Sequence, residues 1–213
     1  MKKVLIIVPH HDDEVLGFGG SIKKHVDSGN QVHVCFLRIP YDERSHLQLL
    51  HSAAAKEILG YQKVTNLLFS EQDLCSFNLS ALKKLEEFMS EEKADILYLP
   101  HMDDVHQEHH LTLYLSRIAT RIWGPNKIPV ILSGEIISSS GNGFKTNFNP
   151  RYYETLSNIH INCKKNALLC YEGEVNDFPH PRSIEGVDVC ARKRGMEAGV
   201  SFAEAFDVLR FIQ

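Results

Sequence analysis

The sequence predicts an α/β fold in three layers, a mostly parallel sheet covered by helices on both faces. Two observations carry this. Short runs of branched aliphatic residues alternate with longer amphipathic stretches along the 213 residues, the pattern of βαβ units with right-handed crossovers. The first run, Val-Leu-Ile-Ile-Val at residues 4–8, is apolar at every position, as a strand buried on both faces must be. A third observation locates the function. Acids and imidazoles cluster directly after two of these runs, and open α/β sheets bind ligands at the C-terminal ends of their strands.

The elements follow in order. Residues 15–28 predict a helix ended by Gly29-Asn30, since such residues tolerate the left-handed conformation that closes a helix. Residues 31–37, rich in Val, Cys and Phe, predict the second strand, and residues 44–59 a helix with Gly60 as terminator. Residues 66–69 read as a short strand. The next helix starts at Asn78 or Ser80 and runs to Glu91, amphipathic through Leu82, Leu85, Phe88 and Met89. Residues 96–99 form another short strand, ended by Pro100, and helix is expected from Gln107 to Trp123. Residues 130–132 give a further strand, and the serine- and glycine-rich residues 133–149 a flexible loop. Asn149-Pro150-Arg151-Tyr152-Tyr153 reads as the lead-in to a helix through Leu168. Pro179-His180-Pro181-Arg182-Ser183 is a rigid turn into a helix ending at Gly199, and residues 203–212 are a final strand or short helix. No repeat or linker interrupts this order, so residues 1–213 are expected to form one domain.

Composition narrows the classes. A net charge of −4 without a lysine- or arginine-rich run excludes a nucleic-acid surface. The first apolar run is too short for a signal-peptide core or an integral membrane segment, and the expected location is cytoplasmic. The five scattered cysteines lack a C-x-x-C spacing, which fits reduced thiols rather than a zinc–thiolate site. Histidine is abundant, with 12 residues.

Pro9-His10-His11-Asp12-Asp13-Glu14 ends the first strand. Three crowded carboxylates repel one another in a cleft unless a cation favours their ionised forms. The pattern His10-x-Asp12-Asp13 reads as half of a metal site with one carboxylate to spare; the competing reading is a polar loop capping a helix. The second cluster, residues 101–110 (His-Met-Asp-Asp-Val-His-Gln-Glu-His-His), ends the fourth strand. On the helix that follows, His106 can share a face with His109 or with His110. His101 and His110 are expected to stay uninvolved, because two or three protein ligands complete a catalytic zinc site. Gly17, Gly19 and Gly20 depart from the G-x-G-x-x-G spacing, so they serve close helix packing rather than a phosphate cradle.

These residues resemble the LmbE-like, or PIG-L-type, N-acetylglucosaminyl deacetylases, a zinc-dependent family with a Rossmann-like fold. The likeness rests on residues 9–14 with Gly19-Gly20, where the family shows His-Pro-Asp-Asp-Glu, and on residues 104–109, where it shows His-Pro-Asp-His. A C-terminal set including Lys164, Tyr171, residues 180–183, Arg194-Gly195 and residues 203–206 extends it over nearly the whole chain. The resemblance implies that His10, Asp13 and His109 bind Zn2+, for which another divalent transition metal can substitute in vitro. It implies Asp12 as general base, His106 as general acid or oxyanion partner, and Glu108 as the residue orienting His106. His11 stands where proline is usual, and Gln107-Glu108 where Pro-Asp is usual. Arg44, His180 and Arg182 are the expected substrate contacts. In several relatives a histidine from the C-terminal region, in some of them a neighbouring subunit's, completes the pocket, so a homo-oligomer is compatible with the resemblance.

The implied reaction is hydrolytic removal of acetyl from a small-molecule N-acetylated sugar: an N-acetylglucosamine-type glycoside, a nucleotide sugar or a glycan precursor. Two other classes fit part of the pattern. A metal-dependent phosphohydrolase would use the acid pair for magnesium, although histidine-rich coordination disfavours that ion. A non-catalytic nucleotide-binding module would have no use for the combined set of imidazoles and acids.

Overall fold

The computed structural model describes residues 1–38, 45–140 and 147–213, with only the backbone of Ser45. The strands are β1 (Lys3–Val8), β2 (Gln31–Arg38), β3 (Lys63–Phe69), β4 (Ile96–Pro100), β5 (Val130–Gly134), β6 (Tyr152–Leu156) and β7 (Phe202–Phe211). The helices are α1 (Asp13–Asp27), α2 (Ser45–Leu59), α3 (Leu79–Glu92), α4 (Gln107–Ala119), α5 (Asn158–Leu169) and α6 (Ile184–Ala198). One sheet has the order β3-β2-β1-β4-β5-β7-β6. Its first five members are parallel, and β7 runs antiparallel to both β5 and β6. This is the three-layer arrangement that the alternation predicted and the Rossmann-like fold that the family resemblance implied.

Alternation along β1 divides the core. Val4, Ile6 and Val8 face the layer containing Leu16, Phe18 and Ile22 of α1, whereas Leu5 and Ile7 pack with Leu85 and Met89 of α3 and Leu113 of α4. The strand order reverses at β1, whose neighbours are β2 on one side and β4 on the other. Chains leaving β1 and β4 diverge there and open a crevice between them.

The differences from expectation lie mainly in the last third. Tyr152–Leu156 is an edge strand, paired from Tyr152 opposite Phe206 to Leu156 opposite Phe202. Its aromatic and β-branched residues fit a pleated surface, and the helix begins only after Ser157, which caps it with His160 in a capping box. Residues 203–212 resolve as strand rather than helix. Helix α4 stops at Ala119, short of the fully exposed Trp123, while β3 begins earlier than expected, at Lys63. All five cysteines are free thiols. Among the described residues, no helix is long and apolar enough to cross a membrane.

Candidate active site

The residues after β1 turn sharply before α1 begins. Asp12 has φ 113°, a conformation that costs a non-glycine residue of order 1–3 kcal/mol and persists only when its surroundings enforce it. Here they do. The Asp12 N–H donates to Glu14 Oε2 at 3.0 Å, the Tyr171 hydroxyl donates to Glu14 Oε1 at 2.5 Å, and the Asp12 carbonyl accepts from Val15 and Leu16. Arg182 Nη1 donates to Asp12 Oδ2 at 2.8 Å and also to Glu174.

Helix α1 is itself held from its flank. Lys164 Nζ donates to the Leu16 carbonyl at 2.9 Å and to Glu204 Oε1 at 2.6 Å. Glu204 accepts the N–H groups of Gly20 and Ser21 at 2.9 and 2.7 Å. A Cβ on Gly19 would stand 3.0 Å from Lys164 Cγ, and one on Gly20 would stand 2.4 Å from Leu156 and 3.1 Å from Glu204. The glycine pair therefore admits a buried ion pair to the helix backbone, the close packing expected of it.

The residues after β4 arrive from the other side of the crevice. His106 caps α4, its Nδ1 accepting the Glu108 N–H at 3.4 Å. Asp104 Oδ1 accepts the His106 N–H at 2.8 Å, and Asp104 Oδ2 lies 2.9 Å from His109 Nδ1. The Ser139 and Ser140 hydroxyls donate to that same Oδ2 at 2.8 and 2.6 Å. With Nδ1 committed to Asp104, the other nitrogen of His109 points inward.

The two segments meet at Asp13. Its Oδ2 lies 3.0 Å from His10 Nδ1 and 3.1 Å from His109 Nε2, and both side chains of the His109–Asp13 pair are almost fully buried. Ligand atoms of His10, His106 and His109 lie within 4.8 Å of one another. Burial works against ionisation, yet His109 and His10 hold the Asp13 carboxyl well below its usual range. The imidazoles respond in kind. Burial opposes their charge, but Asp13 and Glu108 raise His10 to about 9, and Asp13 and Asp104 raise His109 to about 10. Burial, followed by the adjacent Asp13, pushes Asp12 well up, while Arg182 opposes the shift. Two imidazoles converging on one carboxylate oxygen form a group that could exchange its protons for a cation. Two nitrogens and one oxygen with a partner-oriented imidazole suit zinc chemically.

Most of the expected site residues converge: His10, Asp12, Asp13, His106, Glu108, His109 and Arg182. Glu108 departs in detail. Its carboxylate binds His10 Nε2 and Arg38 Nη1 rather than the His106 ring, because the first turn of α4 aims it across the crevice toward β1 and β2. His180 is exposed, its Nδ1 accepting the Arg182 N–H at 3.1 Å. Arg44 lies outside the described residues, as do residues 141–146 of the expected loop. His101 pairs with Asp207 at 2.8 Å and His110 with the Asp104 carbonyl, so neither ring is directed at Asp13. The sequence reading gave no site role to Asp104, Ser139, Arg38, Glu174 or Tyr171. Asp104 and Tyr171 lie in stretches that carry the family likeness; Ser139, Arg38 and Glu174 meet the site through tertiary contacts.

The cleft over this cluster encloses about 180 Å³, with Gln48, Arg182 and Ser139 among its walls. It shares Gln48 and Glu174 with a neighbouring lobe of about 300 Å³, and together they reach the size class of small-molecule sites. The family described as PIG-L, GlcNAc-PI de-N-acetylase, matches residues 5–120, which include both clusters. The diacetylchitobiose deacetylase of Thermococcus kodakarensis is 26% identical over 190 residues, covering 82% of this chain and 70% of that protein. A conserved protein of Thermus thermophilus superposes with TM-score 0.83 at 21% identity, over 100% of this chain and 97% of the other. The N,N'-diacetylchitobiose deacetylase of Pyrococcus horikoshii, solved with an inhibitor, gives 0.79 at 21% identity over 98% and 84%. The structural likenesses support the same fold, and the match across both crevice segments shows that the chain belongs to the PIG-L family of GlcNAc-PI de-N-acetylases.

Proposed function

We propose that the protein is a zinc-dependent hydrolase that removes the acetyl group from an N-acetylated amino sugar. The observation that carries this reading is the meeting of His10 and His109 on one oxygen of Asp13, with Asp12 alongside but bound elsewhere. Family membership and the names of the relatives support the amide and the sugar.

His10, Asp13 and His109 would hold the ion. Zinc at such a set supplies Lewis acidity toward the amide carbonyl and brings the pKa of water toward roughly 7. The rest is the work of the side chains. Asp12 takes the proton of the attacking water; Arg182 on Oδ2 fixes the carboxylate for that transfer. His106 accepts a backbone N–H at Nδ1, so its Nε2–H faces outward as a donor to the developing oxyanion. Loss of one such donor typically raises a barrier by about 2.7–4 kcal/mol. The amine leaves protonated, with Asp12 or His106 as the source. Glu108 keeps His10 in place while Arg38 balances its charge.

The test is release of primary amine and acetate from a panel of N-acetylated sugars by the zinc-loaded protein. Equal amounts of both products are expected, with loss of release after chelation and recovery on adding zinc. Phosphate release from p-nitrophenyl phosphate with no amine from any sugar would replace this reading by the phosphohydrolase one.

A further inference from the structure

Beside the cleft over Asp13 lies the second hollow, which the reaction steps above do not use. It encloses about 300 Å³ between α2, which gives Leu47, Gln48 and His51, and the α5–α6 connection, which gives Glu172, Gly173 and Glu174. Gln48 and Glu174 line both hollows, so the two adjoin. Alone, the 180 Å³ over Asp13 falls below the ~300–1,000 Å³ usual for small-molecule sites.

The walls of the second hollow are mixed. Leu47 is 52% exposed, an apolar side chain on the wall. The His51 ring stands edge-on to Tyr171, with centroids 6.2 Å apart and planes at 85°. At Gly173 the chain has φ 84°, and a Cβ there would meet nothing within 4 Å. The Gln48 amide is half-buried and has no hydrogen-bond partner among the described residues. Arg182 meets the charge of Glu174, whereas Glu172 is exposed and has no cationic partner among the described residues.

We propose that this hollow is a subsite for a second, uncharged pyranose ring joined to the acetamido sugar, with Gln48 as the contact at the junction. This rests on the deacetylase reading of the adjoining cleft. Sugar hydroxyls both donate and accept, which matches an amide carrying donors and an acceptor, and a carboxylate that only accepts. The C–H face of such a ring can lie on Leu47. A phosphate or carboxylate brings acceptors alone and would face the unmatched charge of Glu172, the kind of repulsion by which a site rejects a competitor. A hydrocarbon chain would find, beyond Leu47 and the buried Tyr171, only polar walls.

The test uses the zinc-loaded full chain and three substrates: methyl 2-acetamido-2-deoxyglucoside, the same sugar carrying glucose on its C1 oxygen, and its 1-phosphate. Wild type should favour the two-ring glycoside over the methyl glycoside by about three- to tenfold in kcat/KM, the range for one neutral hydrogen bond, mainly through KM. The 1-phosphate should be the poorest of the three. Leu47→Trp, which fills the hollow from an exposed position, and Gln48→Ala, which removes the amide, should each erase most of the two-ring preference and leave zinc content unchanged. Glu172→Lys should raise kcat/KM on the 1-phosphate by about two- to fivefold, the range for an exposed pair of charges, and the gain should fade with added salt. The proposal is overturned if wild type treats the methyl and two-ring glycosides alike, if Leu47→Trp keeps the preference, or if the 1-phosphate is the best substrate. Should wild type release amine from none of them, the deacetylase reading fails first, and calorimetric binding of the two glycosides decides the subsite. Tighter binding of the two-ring form to wild type but not to Leu47→Trp upholds it; equal binding or none overturns it.

Discussion

The two ends of the sheet each bury a histidine against a carboxylate, and they behave differently. At the N-terminal ends of the strands, His33 Nδ1 lies 2.7 Å from Glu92, and Nε2 lies 3.0 Å from the Thr65 hydroxyl. Lys63 supplies the second charge on Glu92. Every group has its own partner. Burial, only partly offset by Glu92, lowers the pKa of His33. At the C-terminal ends, His10 and His109 compete for one oxygen of Asp13, and both imidazoles are raised instead. The hollow beside His33, about 360 Å³, exceeds the 180 Å³ of the cleft over Asp13. Neither cavity size nor a buried ion pair marks the site. Convergence on a shared atom does.

The contrast can be broken by substitution. His109→Ala removes one of the two nitrogens that meet Asp13 and should abolish both metal retention and amine release, as read by elemental analysis and assay. Asp12→Asn should keep the metal and lose turnover by about 10²- to 10⁴-fold, the usual reach of general acid–base catalysis. Near-normal turnover in that variant would reassign the base. Asp104→Asn disturbs the orientation of His109 together with the Ser139 and Ser140 contacts, and should weaken metal affinity or activity by about 10- to 100-fold, as loss of supporting contacts to metal ligands does. At the opposite end, His33→Gln should leave metal content and turnover intact. Its effect belongs to stability. The folded pKa of His33 lies below the ordinary 6.5, so its contribution is present above about pH 6.5 and is lost as pH falls through the folded value. The variant should therefore show a smaller drop in melting temperature between pH 7.5 and 5 than wild type. An unchanged drop would remove His33 from that account.

The half of the fold around β1 and β4 is legible in the sequence because each element is local. Apolar runs, glycine terminators and the acid–imidazole clusters all lie within a few residues of the structures they produce. The last third is less legible. Tyr152–Leu156 becomes a strand because β7 offers it an edge, and nothing within the segment announces a partner fifty residues away. Ser139 and Ser140 read as loop and become hydrogen-bond donors to a buried carboxylate. Glu108 was recognised as a site residue, but its direction across the crevice depends on Arg38, which no local pattern connects to it.

The clasp of Lys164 and Glu204 on helix α1 limits how far the site could be transplanted. The family match ends at residue 120, and every side chain proposed to hold the ion or move a proton, save the positioning Arg182, lies before that point. The buried pair that grips the backbone of Leu16, Gly20 and Ser21 lies well after it. Grafting the first 120 residues onto another scaffold would thus transfer the reactive groups without their anchorage, and the helix that starts at Asp13 would be free to drift from His109.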